Sequence, residues 1–118
     1  MTEKQLERLI RQVLELHGWT VLKTDAGAAK RASYGASRRG GDIPLGWPDL
    51  TALHPRRPPV LIEVKRPGGR LRASQEYRIR ALREAGFRVY LVDGLATLAH
   101  MLREVEPMAE RALTGGRI

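Results

Sequence analysis

Cysteine is absent from this chain of 118 residues. That removes disulfides, thiol catalysis and Cys-ligated zinc together. Its histidines, His17, His54 and His100, are scattered without ligand spacing. Each reads as a surface or core residue. No phosphate-loop signature is present, and Gly68-Gly69 reads as a turn. No apolar run approaches the roughly 20 residues that span a bilayer, so no membrane partner is expected. The opening stretch MTEKQLERLIRQ is charged throughout, unlike a secretory leader. A cytoplasmic setting is the expectation. There is no internal repeat and no linker. The length suits one domain over 1–118, with a core at about 2–105, a basic loop at 26–46 and a frayed tail at 107–118.

What the chain has in excess is positive charge. The formal net charge is +8 and the isoelectric point about 10.8. Residues 1–18 and 94–118 are each neutral overall. The excess therefore sits in the middle, at Lys30, Arg31, Arg38, Arg39, Arg56, Arg57, Arg66 and from Arg70 to Arg88. A polyanion such as nucleic acid is the expected partner. A generic solubilising surface is the plainer reading of charge alone.

Thr2 with Gln5 three residues on forms a capping box, which starts a helix at Glu3. Leu6, Leu9, Ile10, Val13 and Leu14 recur at helical spacing, and Gly18 stops it. Trp19–Lys23 reads as a short strand. Residues 26–46 show neither period. Strands follow at roughly 48–54 and 59–65, joined by the turn HPRRPP. A second helix is expected over 72–85, stopped by Gly86. Phe87–Val92 is a strand, and a third helix covers about 95–105. The order α-β-β-β-α-β-α places a helix between the third and fourth strands. That crossover implies an α/β fold with a mixed sheet flanked by helices. Trp19, Trp47 and Tyr90 read as core or dimer-interface aromatics.

Charge then appears where a core strand should have none. In Val60–Lys65, alternation puts Val60, Ile62 and Val64 on one face and Leu61, Glu63 and Lys65 on the other. Both faces begin apolar, as in a sheet covered on both sides. An unpaired Glu63 or Lys65 there would be costly. Counting back from the turn pairs positions near 49 with positions near 63, which brings Asp49 beside Glu63. Two carboxylates forced together repel unless a cation lies between them. Mg²⁺ or Mn²⁺ would suit such oxygen donors, with the Val64 carbonyl as a third protein ligand. Lys65 would then stand beside an attacking water or a charged phosphate. A Glu–Lys surface pair on an edge strand is the simpler alternative.

The helices repeat the pattern. Projected at about 100° per residue, Glu3 falls inside the apolar arc of the first helix and Glu7 at its margin. In the second helix Leu71, Ile79, Leu82 and Ala85 form the inner face, with Gln75 on it. A buried amide needs a partner, and a metal-bound water, a DNA phosphate or a backbone carbonyl would each serve. Arg78 also projects toward that face.

Together, Glu3, Gly46-Trp47-Pro48-Asp49-Leu50, Glu63-Val64-Lys65, Gln75 and Leu82-x3-Gly86-Phe87-x-Val89 resemble the PD-(D/E)xK nuclease superfamily. The chain is most similar to the VRR-NUC family in its small stand-alone, phage-type form. The resemblance implies a restriction-endonuclease-like core. It implies that Asp49 and Glu63 hold Mg²⁺ or Mn²⁺ with the Val64 carbonyl, and that Lys65 assists the nucleophile. Glu3 would reach the metal directly or through water, and Gln75 would support the site. Glu7, one turn from Glu3, is the alternative helix acid. Trp47 stands where the family usually has a smaller residue. Similarity to Holliday-junction resolvases implies a homodimer acting on branched DNA. Lys30, Arg31, Arg38, Arg39, Arg66, Arg70, Arg72 and Arg78 are the candidate DNA contacts. The expectation is thus a metal-dependent DNA endonuclease, set against a non-catalytic nucleic-acid-binding module with the same fold. A restriction-type enzyme is weaker, because residues 26–46 carry no readable base code.

Overall fold

Thr2 starts the first helix as its cap. Its hydroxyl accepts the Gln5 N–H at 3.1 Å, and Gln5 Oε1 accepts the Thr2 N–H at 2.9 Å. Two helix-end donors are thereby satisfied, a contribution of about 1 kcal/mol. In the computed structural model, residues 1–25 and 43–106 are described. The expected contacts Lys30, Arg31, Arg38 and Arg39 and the expected tail lie outside the described residues.

The elements run α1 (Glu3–Leu16), β1 (Thr20–Lys23), β2 (Leu50–His54), β3 (Arg57–Val64), α2 (Ala73–Glu84), β4 (Arg88–Val92) and α3 (Leu95–Val105). This is the expected α-β-β-β-α-β-α order. The sheet is mixed, in the spatial order β1-β2-β3-β4. β1 and β2 pair antiparallel, as do β2 and β3, while β4 joins β3 in parallel. The architecture is α/β and restriction-endonuclease-like. Among the described residues no helix is long and apolar enough to cross a membrane.

Alternation along β3 divides the core. Val60, Ile62 and Val64 face α1 and α3, packing with Leu6, Ile10, Leu14, Leu98, Met101 and Val105. Leu61 faces the other way and packs with Ile79 and Leu82 of α2 and Val89 of β4, with Trp47 and Leu71 at the margin. Each such buried side chain contributes about 1.5–3 kcal/mol relative to exposure. Trp19 is a core residue, and its indole N–H is donated to the buried carboxylate of Glu106.

Three details differ from the sequence expectation. The β2–β3 turn is tighter than HPRRPP suggests: His54 pairs with Arg57, leaving Pro55 and Arg56 at the tip. Pro58 and Pro59 lie within β3. They are tolerated because β4 pairs with β3 only from Val60 onward, so no β4 ladder bond is lost. Ala85 is exposed rather than inward, because α2 stops at Glu84 and Ala85 is its C-cap. Arg57, expected as part of the basic surface, is spent on the fold. It pairs with Glu106 at 3.4 Å and donates to the Val105 carbonyl at 3.3 Å.

Candidate functional site

The hairpin register brings two acids together. Leu50 pairs with Ile62. One step further along an antiparallel ladder sets Asp49 opposite Glu63, on the α2 side of the sheet. Asp49 Oδ2 accepts the Val64 N–H at 2.8 Å. Glu63 is only 1% exposed. The two carboxyls lie within hydrogen-bonding reach of each other.

Three further side chains converge here. Gln75, in the first turn of α2, donates through Nε2 to Glu63 Oε2 at 3.1 Å. Its Oε1 accepts the Arg72 N–H at 2.8 Å. A backbone N–H can only donate, so that bond fixes which way the amide faces. Within the protein, the Gln75 amide is thus engaged by Glu63 and by its own helix terminus. Lys65 Nζ stands 3.7 Å from Glu63 Oε2. Glu3 is exposed at the start of α1, not inward as projected, yet its charge reaches Glu63. Glu7, the alternative, is engaged elsewhere, 2.8 Å from Lys23 Nζ.

Gly46 explains how α2 comes so close. It holds φ at +82°, and a Cβ there would run into the Ser74 carbonyl. Only glycine satisfies both conditions. The Gly46–Asp49 segment therefore lies directly on the α2 turn that carries Gln75.

Electrostatics mark the pair. Burial pushes the Glu63 pKa up to about 8; the Asp49 charge and the carboxyl–carboxyl hydrogen bond add to the rise, Lys65 opposes it, and Glu3 adds a little more. Asp49 is also raised, by burial first. The Val64 N–H and the contact with Glu63 pull it down, Asp25 raises it, and Lys23 lowers it. Glu63 Oε1 is buried and accepts no hydrogen bond among the described residues. A buried acceptor left so is costly. Only a shared proton or a cation resolves a pair of this kind.

The donor chemistry fits a hard divalent cation. Among the described residues no three acidic or histidine side chains form a metal-holding group. The protein thus offers two carboxylates, and a backbone carbonyl with waters would complete the shell, as Mg²⁺ prefers. Val64 meets the site through its N–H, which tethers Asp49.

The expected DNA contacts divide. Arg66, Arg70 and Arg72 are exposed on the segment between β3 and α2, beside the site. Arg78 is half-buried and lies 5.4 Å from the centroid of the Tyr77 ring. Two charged neighbours of Asp49, Lys23 and Asp25, were not singled out in the sequence. The only signal there was a lysine ending a short strand.

The VRR-NUC domain matches residues 1–96, which include Glu3, Asp49, Glu63, Lys65 and Gln75. The chain belongs to the VRR-NUC family. VRR-NUC domains form part of the PD-(D/E)xK nuclease superfamily, so the chain is of nuclease type. Nucleases of this superfamily generally use divalent metals. The VRR-NUC match runs through β4 and ends at the beginning of α3. No curated protein matches the chain.

Proposed function

We propose that this protein is a divalent-metal-dependent DNA endonuclease, with Asp49, Glu63, Lys65, Gln75 and Glu3 as its site. The observation that carries the reading is the Asp49–Glu63 pair. Two carboxyls are held in contact, one of them almost fully buried with an orphaned oxygen, beside a lysine. A fold gains nothing in stability from that arrangement, whereas a cation site requires it.

Asp49 and Glu63 would hold Mg²⁺ or Mn²⁺ together with the Val64 carbonyl, and Glu3 would act from the helix terminus, directly or through water. When bound, the ion supplies Lewis-acid polarisation of the phosphate. Gln75 fixes the Glu63 carboxylate through Oε2 and would leave Oε1 for the ion. Lys65 orients the attacking water and stabilises negative charge as it builds on the phosphate. The water oxygen gives up a proton to solvent and bonds to phosphorus while the opposite P–O bond to the departing sugar breaks. The leaving oxygen takes a proton from solvent, so protons balance. Arg66, Arg70 and Arg72 grip the DNA backbone beside the cut.

The substrate we infer is branched DNA, cut in pairs by a homodimer, and the location we infer is cytoplasmic. The test is incubation with four-way junction, flap and plain duplex DNA, with Mg²⁺, Mn²⁺ or chelator. Metal-dependent cleavage is expected, greatest on the junction. Asp49→Ala and Glu63→Ala should each lower it by about 100-fold or more, the scale of losing groups that act only in the transition state. Cleavage that survives both substitutions overturns the assignment. Junction binding with no turnover in any metal would make the protein a binding module instead.

A further inference from the structure

Half-buried arginines in this protein hold acceptors, with one exception among the described residues. Arg11 donates to the Val21 carbonyl, Arg57 pairs with Glu106, and Arg88 donates to the Tyr90 hydroxyl and the Glu104 carbonyl. Arg78 of α2 is half-buried too, yet among the described residues it has no hydrogen-bond acceptor and no carboxylate beside it. Its Nε is buried and unsatisfied. The guanidinium lies instead over the Tyr77 ring, 5.4 Å from the centroid. A buried donor without an acceptor is costly, and an arginine so placed suits an anion from outside the protein.

Tyr77 is its complement. The side chain is 63% exposed and belongs to neither core cluster. Helical side chains lean toward the N-terminus of their helix, which sets the ring over Ala73, one turn back. Ala73 is itself exposed and ends at its Cβ. A flat group therefore has room against the ring. The pair also stands close to the acids. Gln75 and Arg78 are three apart, which makes them neighbours on the helix surface, with about 5–6 Å between Cβ atoms. Gln75 is the residue that holds Glu63.

A nucleotide carries a flat base and a phosphate; this pair offers an open ring and an unsatisfied guanidinium. A base inside a duplex presents only its edges, in the grooves, so a ring can stack only on a base that has left the duplex. We propose that Tyr77 and Arg78 form a site for one unpaired nucleotide of a branched DNA, the base stacking on the Tyr77 ring and a phosphate oxygen accepting from Arg78. Because Arg78 already lies over the ring, the two halves of the site are together before DNA arrives. Arg66, Arg70 and Arg72 would grip any DNA backbone, whereas Tyr77 and Arg78 select DNA in which a strand departs from the duplex. A pair that merely stiffened α2 would change stability and not the choice of DNA.

The inference rests on the DNA-directed reading and can fail separately from it, because its test needs no cleavage. Full-length protein in chelator is titrated with blunt duplex and with the same duplex bearing a single-stranded 5′ or 3′ tail. The tail carries 2-aminopurine next to the duplex, whose fluorescence is quenched by stacking. Wild type is expected to bind one of the tailed forms about 10-fold more tightly than the blunt one, the scale of one stacked base, and to quench the probe. Tyr77→Phe should keep both effects. Tyr77→Leu should abolish the quenching and bring the affinity ratio near one. Arg78→Gln should lower the ratio and reduce the salt slope on tailed DNA by about 0.7, the share of one single-strand phosphate. Thermal melts verify that each variant is folded. Quenching and preference that survive Tyr77→Leu overturn the site. Equal affinity of wild type for blunt and tailed duplex, with the probe unquenched, overturns it as well and leaves the nuclease reading intact. No affinity of wild type for any of these duplexes overturns the DNA-directed reading itself.

Discussion

Glu63 is the residue on which the chemistry turns, and its titration has a sign that can be measured. Its pKa in the folded protein is pushed up to about 8 from an ordinary 4.5. The folded state therefore holds a proton across that interval that the unfolded chain has released. By linkage, its contribution to stability is complete below the lower value and is lost as pH rises through the upper one. In metal-free protein the melting temperature should fall between about pH 5 and 8, the window of the raised carboxyl. Glu63→Gln, which cannot ionise, should flatten that decline. Mg²⁺ replaces the proton, so its stabilising effect should grow over the same window and vanish in the variant. Parallel melting curves for wild type and Glu63→Gln at every pH would contradict the assignment.

At the scale of elements, the contact between Gly46 and the first turn of α2 decides whether Gln75 reaches Glu63. Gly46→Ala combines left-handed strain with a collision at the Ser74 carbonyl. Gly86 offers the control. Its φ is +97°, but a Cβ there meets nothing within 4 Å. Both alanine variants should lose about 1 kcal/mol from strain. Gly46→Ala alone should also lose about 10- to 100-fold in turnover, since misplacing a supporting group by an ångström is that costly. Cleavage rates compared at matched stability separate the two effects. Equal rates in both variants would show that Gln75 needs no such placement.

This same contact marks the boundary of what the sequence could tell. Helix α1 was legible because the Thr2–Gln5 cap and the Leu6-Ile10-Leu14 spacing are local. The proximity of Asp49 and Glu63 was legible because the turn lies midway between them, so counting sufficed. Alternation on β3 gave the correct two faces. The Gln75–Glu63 bond was not legible, because it depends on how α2 crosses the sheet. Nor was the exposure of Glu3, since a helical projection knows the arc but not where the neighbouring element ends. Lys23 escaped notice because its partners come from α1 and from two residues on. The arginines were read as one surface, yet Arg83 and Arg88 are tied to main-chain carbonyls at Val89 and Glu104.

For the molecule as a whole, the distribution of charge matters more than the total. The sequence has neutral ends and a basic middle. Among the described residues, Arg66, Arg70 and Arg72 are exposed on the segment that leads from Glu63 to Gln75. Affinity for duplex DNA should fall steeply with salt, because bound phosphates release counterions. Arg66→Ala, Arg70→Ala and Arg72→Ala should each reduce the slope of log K against log salt by about one. Weakening should be similar across sequences, since these contacts carry no base information. Binding isotherms over a range of salt check it. An unchanged slope in all three would move the DNA path elsewhere on the surface.

The tight turn at Pro55-Arg56 has a kinetic consequence. It joins β2 and β3 over a short span of chain, so their ladder closes with little loop entropy. β4 can dock on β3 only after α2 has crossed, a slower and less local step. The opposed acids are consequently brought face to face early, before the rest of the sheet can shield or partner them. Their repulsion is then a barrier to folding, not only a penalty in the finished protein. Refolding of metal-free protein should accelerate as pH is lowered, with Asp49→Asn refolding quickly at any pH. Stopped-flow rates that depend on pH equally in the two proteins would place the ladder late on the pathway.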